Sequence, residues 1–162
     1  MKALLKISVL LIAIIVLSSQ QSQAQVKAGL GAAFASEVEQ VGIQGDLHYR
    51  LPNTPAIQFG GGLAYYFPKE DREFMEANLN GAYIFYDKYM FKSYLYTGLH
   101  LARLEQNHSN GSSIDRTIGL NIGLGAEYDF GSLLAFGDLK YVVSEIDQPV
   151  FSIGLRVPFG GN

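Results

Sequence analysis

The sequence predicts an all-β fold: an eight-stranded, antiparallel, up-and-down β-barrel that spans a membrane. Three observations predict it. Apolar and polar residues alternate over segments of about 10 residues. The apolar faces of those segments carry aromatics toward both ends, and the opposite faces are rich in glycine and alanine. The chain is 162 residues long, with 48% hydrophobic and 17% charged residues, and it contains 18 Gly, 10 Tyr and 10 Phe. That composition suits strands and turns better than a helical bundle, and the length allows one domain.

Met1 to Ala24 is expected to be a signal peptide. Lys2 and Lys6 supply a positive start, Ile7 to Leu17 is an unbroken apolar run, and Ser22-Gln23-Ala24 places small residues where a signal peptidase reads. The apolar run is too short to cross a hydrocarbon core that needs about 20 helical residues. Export with cleavage after Ala24 leaves 25–162 as the barrel domain.

Each strand then follows from its own alternation. In 26–35, Gly29, Gly31 and Ala33 oppose Leu30 and Phe34. In 40–51, Val41, Ile43, Leu47, Tyr49 and Leu51 oppose Gln44, Asp46, His48 and Arg50. Segment 56–67 sets Phe59, Tyr65 and Phe67 against Gly60, Gly62 and Ala64, and 73–86 sets Tyr83 and Phe85 against Glu76. In 90–104, Phe91 and Ser93 face away from Lys92, Tyr94, Tyr96, Gly98, His100 and Ala102. The clearest case is 116–130, where Ile118, Leu120, Ile122, Leu124, Ala126, Tyr128 and Phe130 oppose Gly119, Asn121, Gly123, Gly125, Glu127 and Asp129. In 133–143, Tyr141 opposes Phe136, Asp138 and Lys140. The last segment, 149–159, sets Phe151, Ile153, Leu155, Val157 and Phe159 against Ser152, Gly154 and Arg156.

Pattern-breaking residues separate the strands: Pro52 to Pro55, Pro68 to Arg72, Asp87 to Tyr89, Gln106 to Asp115, Gly131-Ser132 and Ser144 to Gln148. The second, fourth and sixth connections read as tight turns. The first, third, fifth and seventh are more polar, and the fifth is the longest, with Asn110-Gly111 at its tip. Short turns at one end and longer loops at the other are an outer-membrane trait that puts both termini on the periplasmic side.

A soluble β-sandwich also alternates, but three features oppose that reading. The aromatics form two rings: Tyr49, Phe59, Tyr83, Phe85, Phe91, Tyr128, Phe130 and Phe159 near the turns, and Phe34, Tyr65, Phe67, Tyr141 and Phe151 near the loops. The glycine- and alanine-rich faces suit a narrow lumen filled by side chains, not a solvated surface. The chain also stops on an alternating strand with an aromatic near its end. There, Ser152-Ile153-Gly154-Leu155-Arg156-Val157-Pro158-Phe159 resembles the terminal signal read by the barrel-assembly machinery: polar, any, Gly, two of any, hydrophobic, any, aromatic. The strand count and leader likewise resemble the small eight-stranded outer-membrane barrel family of the OmpA/OmpX type, over all of 25–162. Gly160, Gly161 and Asn162 after the aromatic, and the short loops, depart from that family's pattern. The resemblance implies Ser152, Gly154, Val157 and Phe159 as assembly-signal residues. It also implies a structural, surface-exposed or porin-like role in a Gram-negative envelope, with outer-membrane lipid, lipopolysaccharide, periplasmic chaperones and the assembly machinery as partners.

Chemistry beyond the wall is sparse. The absence of cysteine excludes disulfides, thiolate metal sites, cysteine nucleophiles and a lipid-modified lipoprotein start. Twelve Lys plus Arg against 15 Asp plus Glu leaves no basic surface for nucleic acid. His48, His100 and His108 lack zinc-site spacing, and nothing calls for a cofactor. A lipid A deacylase needs a paired His and Ser on the lipid-facing surface, yet Ser93 faces out and His100 in, so no catalytic residue is assigned. A soluble lipocalin-like barrel is the remaining rival, and it predicts extraction without detergent. Asn107-His108-Ser109 and Asn110-Gly111-Ser112 match glycosylation sequons by chance. The loop-end bases Lys69, Arg72, Arg103 and Arg116 suit lipopolysaccharide phosphates. Parity places ten charges in the lumen: acids Asp46, Glu76, Glu127, Asp129 and Asp138, and bases Lys27, Arg50, Lys92, Lys140 and Arg156. Buried charge is costly unless paired, so an interior ion-pair network is expected.

Overall fold

The computed structural model describes residues 26–69, 72–108, 111–145 and 147–159. The leader expected over Met1–Ala24, the Asn110 loop tip and the two sequons lie outside the described residues or include undescribed positions. Eight strands occur in chain order: β1 Val26–Ala35, β2 Gln40–Arg50, β3 Ile57–Lys69, β4 Arg72–Lys88, β5 Phe91–His108, β6 Gly111–Asp129, β7 Leu134–Val143 and β8 Gln148–Phe159. Each pairs antiparallel with its sequence neighbours, and β8 returns to β1 across ten residue pairs, from Val26↔Phe159 to Ala35↔Val150. Closure leaves the wall without an edge, as an all-β chain in lipid requires.

The alternation translates directly into an inside-out molecule. Leu30 is 76% exposed and Ile153 69%, while Lys27 and Arg156, on the opposite face of the same two strands, are each 1% exposed. The predicted aromatics end up on the outside, including Phe34, Tyr49, Phe59, Phe67, Phe91, Tyr128, Tyr141, Phe151 and Phe159; Tyr65 is half-buried. Apolar surface of this extent is stable against hydrocarbon rather than water.

Two expectations about the connections are corrected. The stretch Gln106 to Asp115 is mostly ladder: β5 and β6 stay paired to His108↔Gly111, well beyond Arg103↔Arg116. Outside a hydrocarbon layer an antiparallel ladder needs only its backbone, so this polar extension carries no apolar period. Pro68 and Arg72 also lie within strands, with a register shift between Tyr66 and Lys69 that accommodates the proline. The two ends therefore differ in how far β4, β5 and β6 project, not in loop length. At the turn end, Tyr89 adopts a φ of 57° between the paired Lys88 and Phe91, an uncommon backbone for a bulky residue.

Candidate functional site in the barrel lumen

Inward side chains reach the lumen from every strand, because residues i and i+2 share a face. Arg156 of β8 is the hub. Its Nε and Nη2 donate to the two oxygens of Asp46 at 3.1 and 3.0 Å. Nη2 also donates to Asp138 at 3.0 Å, and Nη1 donates to Glu127 at 2.9 Å and to Tyr94 Oη at 2.8 Å. These five bonds equal the five N–H donors a guanidinium owns. The group also lies 3.8 Å from the ring centre of Phe136; a planar guanidinium can stack on the ring while its in-plane N–H groups reach the carboxylates, which a Lys ammonium cannot do. Tyr94 Oη donates onward to Asp138 at 2.6 Å.

Glu127 links the hub to a second cation. Lys27 Nζ donates to both of its oxygens at 2.7 Å, with each side chain 1% exposed. Lys92 Nζ stands 3.5 Å from the same carboxylate. Three cations thus face three carboxylates around Arg156, a balance that offsets the cost of removing them from water. Small residues make the room: a Cβ at Gly29 would lie 2.8 Å from Arg156 Cγ, and one at Gly125 would collide with Asp138.

Toward the loop end the chemistry changes to amides. Lys140 Nζ donates to Glu76 Oε1 at 2.6 Å, and Asn78 Nδ2 donates to the same oxygen at 3.2 Å. His100 Nδ1 meets Asn78 Oδ1 at 2.9 Å, and Asn121 Nδ2 donates to Asn78 and Asn80 at 2.8 and 3.1 Å. On the other side of the hub, toward the turn end, His48 Nδ1 meets Gln58 Nε2 at 2.8 Å, and its Nε2 lies 3.3 Å from Asp46. A cavity of about 70 Å³ remains between Asp46, His48, Asn78, Asn80, Tyr96 and Lys140, opposite the inward Gly60 and Gly62. It has room for a few waters only.

Nearest the loop end lies a largely apolar layer, with the buried amides Gln40 and Gln148 at its margin. Ala33, Ala35, Val38, Ala64, Tyr66, Phe74, Leu104, Val142 and Val150 form one buried cluster, in which the Tyr66 and Phe74 rings stand 5.1 Å apart. Parity along β3 turns Tyr66 inward to close the lumen, as observed, but it does not identify the apolar residues that pack around it. The available signal was apolar residues on both faces of strands at this end, as in Tyr65-Tyr66-Phe67, Val142-Val143 and Val150-Phe151.

Eight of the ten expected lumen charges meet in these two groups, and two do not. Arg50 lies at the turn-end rim, where Nε donates to Pro55 O at 2.6 Å and Nη2 to Asp87 at 2.7 Å. Asp129 is exposed and accepts the Gly131 N–H at 2.6 Å, capping a turn in which Gly131 has a φ of 98°. Parity gives the face a residue occupies but not its height along the strand. At a strand end, the inward face already looks onto solvent.

In the last strand, Ser152 is buried on the lumen side and Gly154 packs against β1, where a Cβ would strike Leu30 O; Val157 and Phe159 point outward. Ser93 lies on the outward face and His100 is buried in the lumen. Of the loop-end bases, Lys69 pairs with Glu39 at 2.7 Å and Arg103 with Glu105 at 2.7 Å. The carbonyl of Arg72 accepts from Gln40 at 2.8 Å, and Arg116 is exposed directly across the ladder from Arg103.

No protein-family model matches the chain, and no curated protein matches it in sequence. Solved structures do match its fold. The N-terminal β-barrel domain of Pseudomonas aeruginosa OprF superposes with a TM-score of 0.71 at 17% identity, covering 86% of this chain and 100% of that one. Neisserial surface protein A gives 0.63 at 22% identity over 85% and 98%. Ail, the attachment invasion locus protein of Yersinia pestis, gives 0.64 at 13% identity over 86% and 100%. The chain therefore carries the fold of the small eight-stranded outer-membrane β-barrels.

Proposed function

We propose that the protein is a non-enzymatic, integral outer-membrane barrel with a structural and surface-facing role, and that its lumen is closed to ions. The observation that carries this reading is the filled lumen. Arg156 spends every donor on cross-lumen partners, and the apolar layer around Tyr66 and Phe74 stands between that cluster and the loop end. Eight-stranded barrels are just wide enough for side chains, whereas aqueous channels accompany about 16 strands. Ser93 and His100 on opposite faces of β5 speak against an oriented catalytic pair. The 70 Å³ cavity is far below the roughly 300–1,000 Å³ of drug-sized ligand sites.

Export by the leader ending at Ala24 and assembly through Ser152, Gly154, Val157 and Phe159 complete the reading. The partners are chaperones and the assembly machinery during biogenesis, and lipid and lipopolysaccharide afterwards; Lys69, Arg72 and Arg103 lie at the rim that meets lipopolysaccharide phosphates. Membrane fractionation, followed by electrophoresis with and without boiling, tests location and closure together. A folded, faster-migrating species in the outer-membrane fraction is expected, and extraction without detergent would overturn the reading. Purified protein in planar bilayers should give no stable ohmic steps. Phe159→Ala should leave the protein degraded or stalled before insertion, and normal outer-membrane levels would remove the assembly role.

A further inference from the structure

The lipid-facing wall is not evenly covered. Across β5 to β8 it carries a depression of about 510 Å³, within the range of small-ligand sites. Its floor is one row of paired residues, Ser93 of β5, Ala126 of β6 and Gly137 of β7, ending at Ile153 of β8. Phe85, Phe91, Leu124, Leu139 and Phe151 stand around it, each between 42% and 51% exposed. With adjacent strands about 4.8 Å apart, the row extends about 14 Å. It also climbs. Ser93 is two residues from the turn-end start of β5 at Phe91, whereas Ile153 is six residues from the turn-end finish of β8 at Phe159. The depression therefore begins at the turn-end rim and rises obliquely to mid-wall, over a length close to half of a hydrocarbon core of about 30 Å.

Two local features build it, and neither is required by packing inside the barrel. A Cβ at Gly137 would meet nothing within 4 Å, whereas at Gly125 and Gly154 it would collide with Tyr94 and with Leu30 O. Gly137 also has no positive φ to explain it. A register shift between Ile84 and Tyr86 leaves Phe85 as an extra residue, so Phe85 and Tyr86 both lie outside, opposite Ser93. The Tyr86 ring meets Phe91 edge-on at 6.0 Å, an aromatic wall at the lower end of the depression. Just below it, Lys88 lies directly across from Phe91, exposed and without an ion pair among the described residues. The outward Tyr86 and Tyr128 mark this level as headgroup depth.

The depression opens sideways into hydrocarbon, so its occupant is something already dissolved in the membrane. A second copy does not fill it: two barrels related about the membrane normal would set depression against depression and leave both empty. An acyl chain fits its single-row width, its apolar lining and its length, and the unpaired Lys88 complements a phosphate at its foot. We infer that this depression binds a glycerophospholipid of the turn-end leaflet, with one acyl chain laid along Ser93, Ala126 and Gly137 and its phosphate against Lys88. The inference rests on the transmembrane placement of the barrel, and not on a closed lumen or on any surface partner.

The test uses full-length protein in lipid nanodiscs doped with phosphatidylglycerol that carries a diazirine in one acyl chain, with photo-cross-links mapped by mass spectrometry. Cross-links are expected to concentrate around Ser93, Ala126 and Gly137, with sparse labelling around the outward Gly45 and Gly61 on the opposite wall. Gly137→Leu or, from the adjacent strand, Ala126→Leu fills the depression and should reduce its labelling to that of the opposite wall, while the unboiled band on a gel keeps its mobility. Lys88→Gln should lower labelling about fivefold. It should leave unchanged the labelling by a diacylglycerol with the same chain, which has no phosphate. Even labelling around the wall would mean annular lipid only and would overturn the site. So would indifference to both filling variants, an equal effect of Lys88→Gln on the two probes, or a cross-linked pair of protein chains that Gly137→Leu abolishes. Extraction without detergent would remove the transmembrane reading itself, whereas these outcomes, in a protein that fractionates with the membrane, would remove the lipid site alone.

Discussion

Around Arg156, two cations and three carboxylates are locked by hydrogen bonds of 2.7–3.1 Å, and a third cation, Lys92, stands 3.5 Å from Glu127. At the loop end of the same lumen, Val142, Val150, Tyr66 and Phe74 pack with essentially no exposed surface and no ionic group in the cluster. Both regions fill one narrow tube, yet they do so by opposite means. The charged region is directional: each partner fixes another strand's position, since Arg156 joins β8 to β2, β5, β6 and β7. The apolar region depends on volume and tolerates rearrangement as long as space stays filled. Together the two regions suggest a division of labour, with the ionic cluster setting how the strands meet and the apolar layer sealing the lumen.

The largest effect is expected from breaking the hub. Arg156→Ala leaves Asp46, Glu127 and Asp138 facing one another with Lys27 and Lys92 alone to compensate, and should cost about 3–5 kcal/mol. Unfolding by denaturant in lipid vesicles, followed by the loss of the fast-migrating unboiled band, would measure it. Arg156→Lys should recover little, because an ammonium cannot reproduce the fork or the stacking on Phe136. A loss below about 1 kcal/mol would mean that the lumen admits enough water to screen the carboxylates.

A second cut tests whether the ionic contacts are coupled. Lys140 and Glu76 form a pair at 2.6 Å apart from the Arg156 cluster, with Asn78 and His100 as neutral neighbours of the carboxylate. Lys140→Met and Glu76→Gln should each destabilise by about 2–3 kcal/mol, while the double variant should lose clearly less than their sum, with a coupling of about 1–3 kcal/mol. Additive losses would remove the pairing as a source of stability. In the apolar layer, Val150→Ala removes two methylene equivalents and should cost roughly 1.5–2 kcal/mol once the residual cavity is included. That loss should be insensitive to salt, and a strong salt dependence would show that the plug borrows its stability from the charges.

How much of this was legible in the sequence depends on which property is asked for. Strict alternation assigned the faces correctly through Ile118 to Glu127 because one face met lipid and the other a crowded lumen, a contrast strong enough to imprint on every residue. Arg50 and Asp129 obeyed the same parity and still lie outside the network, because height along a strand leaves no periodic trace. The β5–β6 extension above Arg103 and Arg116 was invisible for a related reason: its ladder is held by backbone groups, which every sequence has. Arg156 was identified as a lumen cation, but its five partners come from four other strands, and their convergence depends on register, which parity does not supply.

The smallest effect is expected where the same bond is made in water. Lys69 Nζ reaches Glu39 at 2.7 Å, the distance at which Lys27 reaches Glu127, but the exposed side chains are 45% and 70% accessible where the buried pair shows 1% and 1%. The hydrogen bond and charge of Lys69 hold the Glu39 carboxyl below its ordinary range. A lowered folded-state pKa contributes stability above the unfolded carboxyl range and loses it as pH falls through the folded value. Solvent and salt screen an exposed pair, so that contribution is small and should fade further as salt shortens the Debye length to about 8 Å at 0.15 M. Glu39 also has a φ of 50°, which glycine adopts without penalty. Glu39→Gly should therefore leave the unfolding midpoint unchanged or slightly higher, a smaller change than Val150→Ala, and it should abolish any acid-linked shift traceable to this turn. A loss as large as that of the lumen variants would mean that the exposed pair shares the cooperative unit of the buried one, and the contrast between wet and dry ion pairs in this barrel would fail.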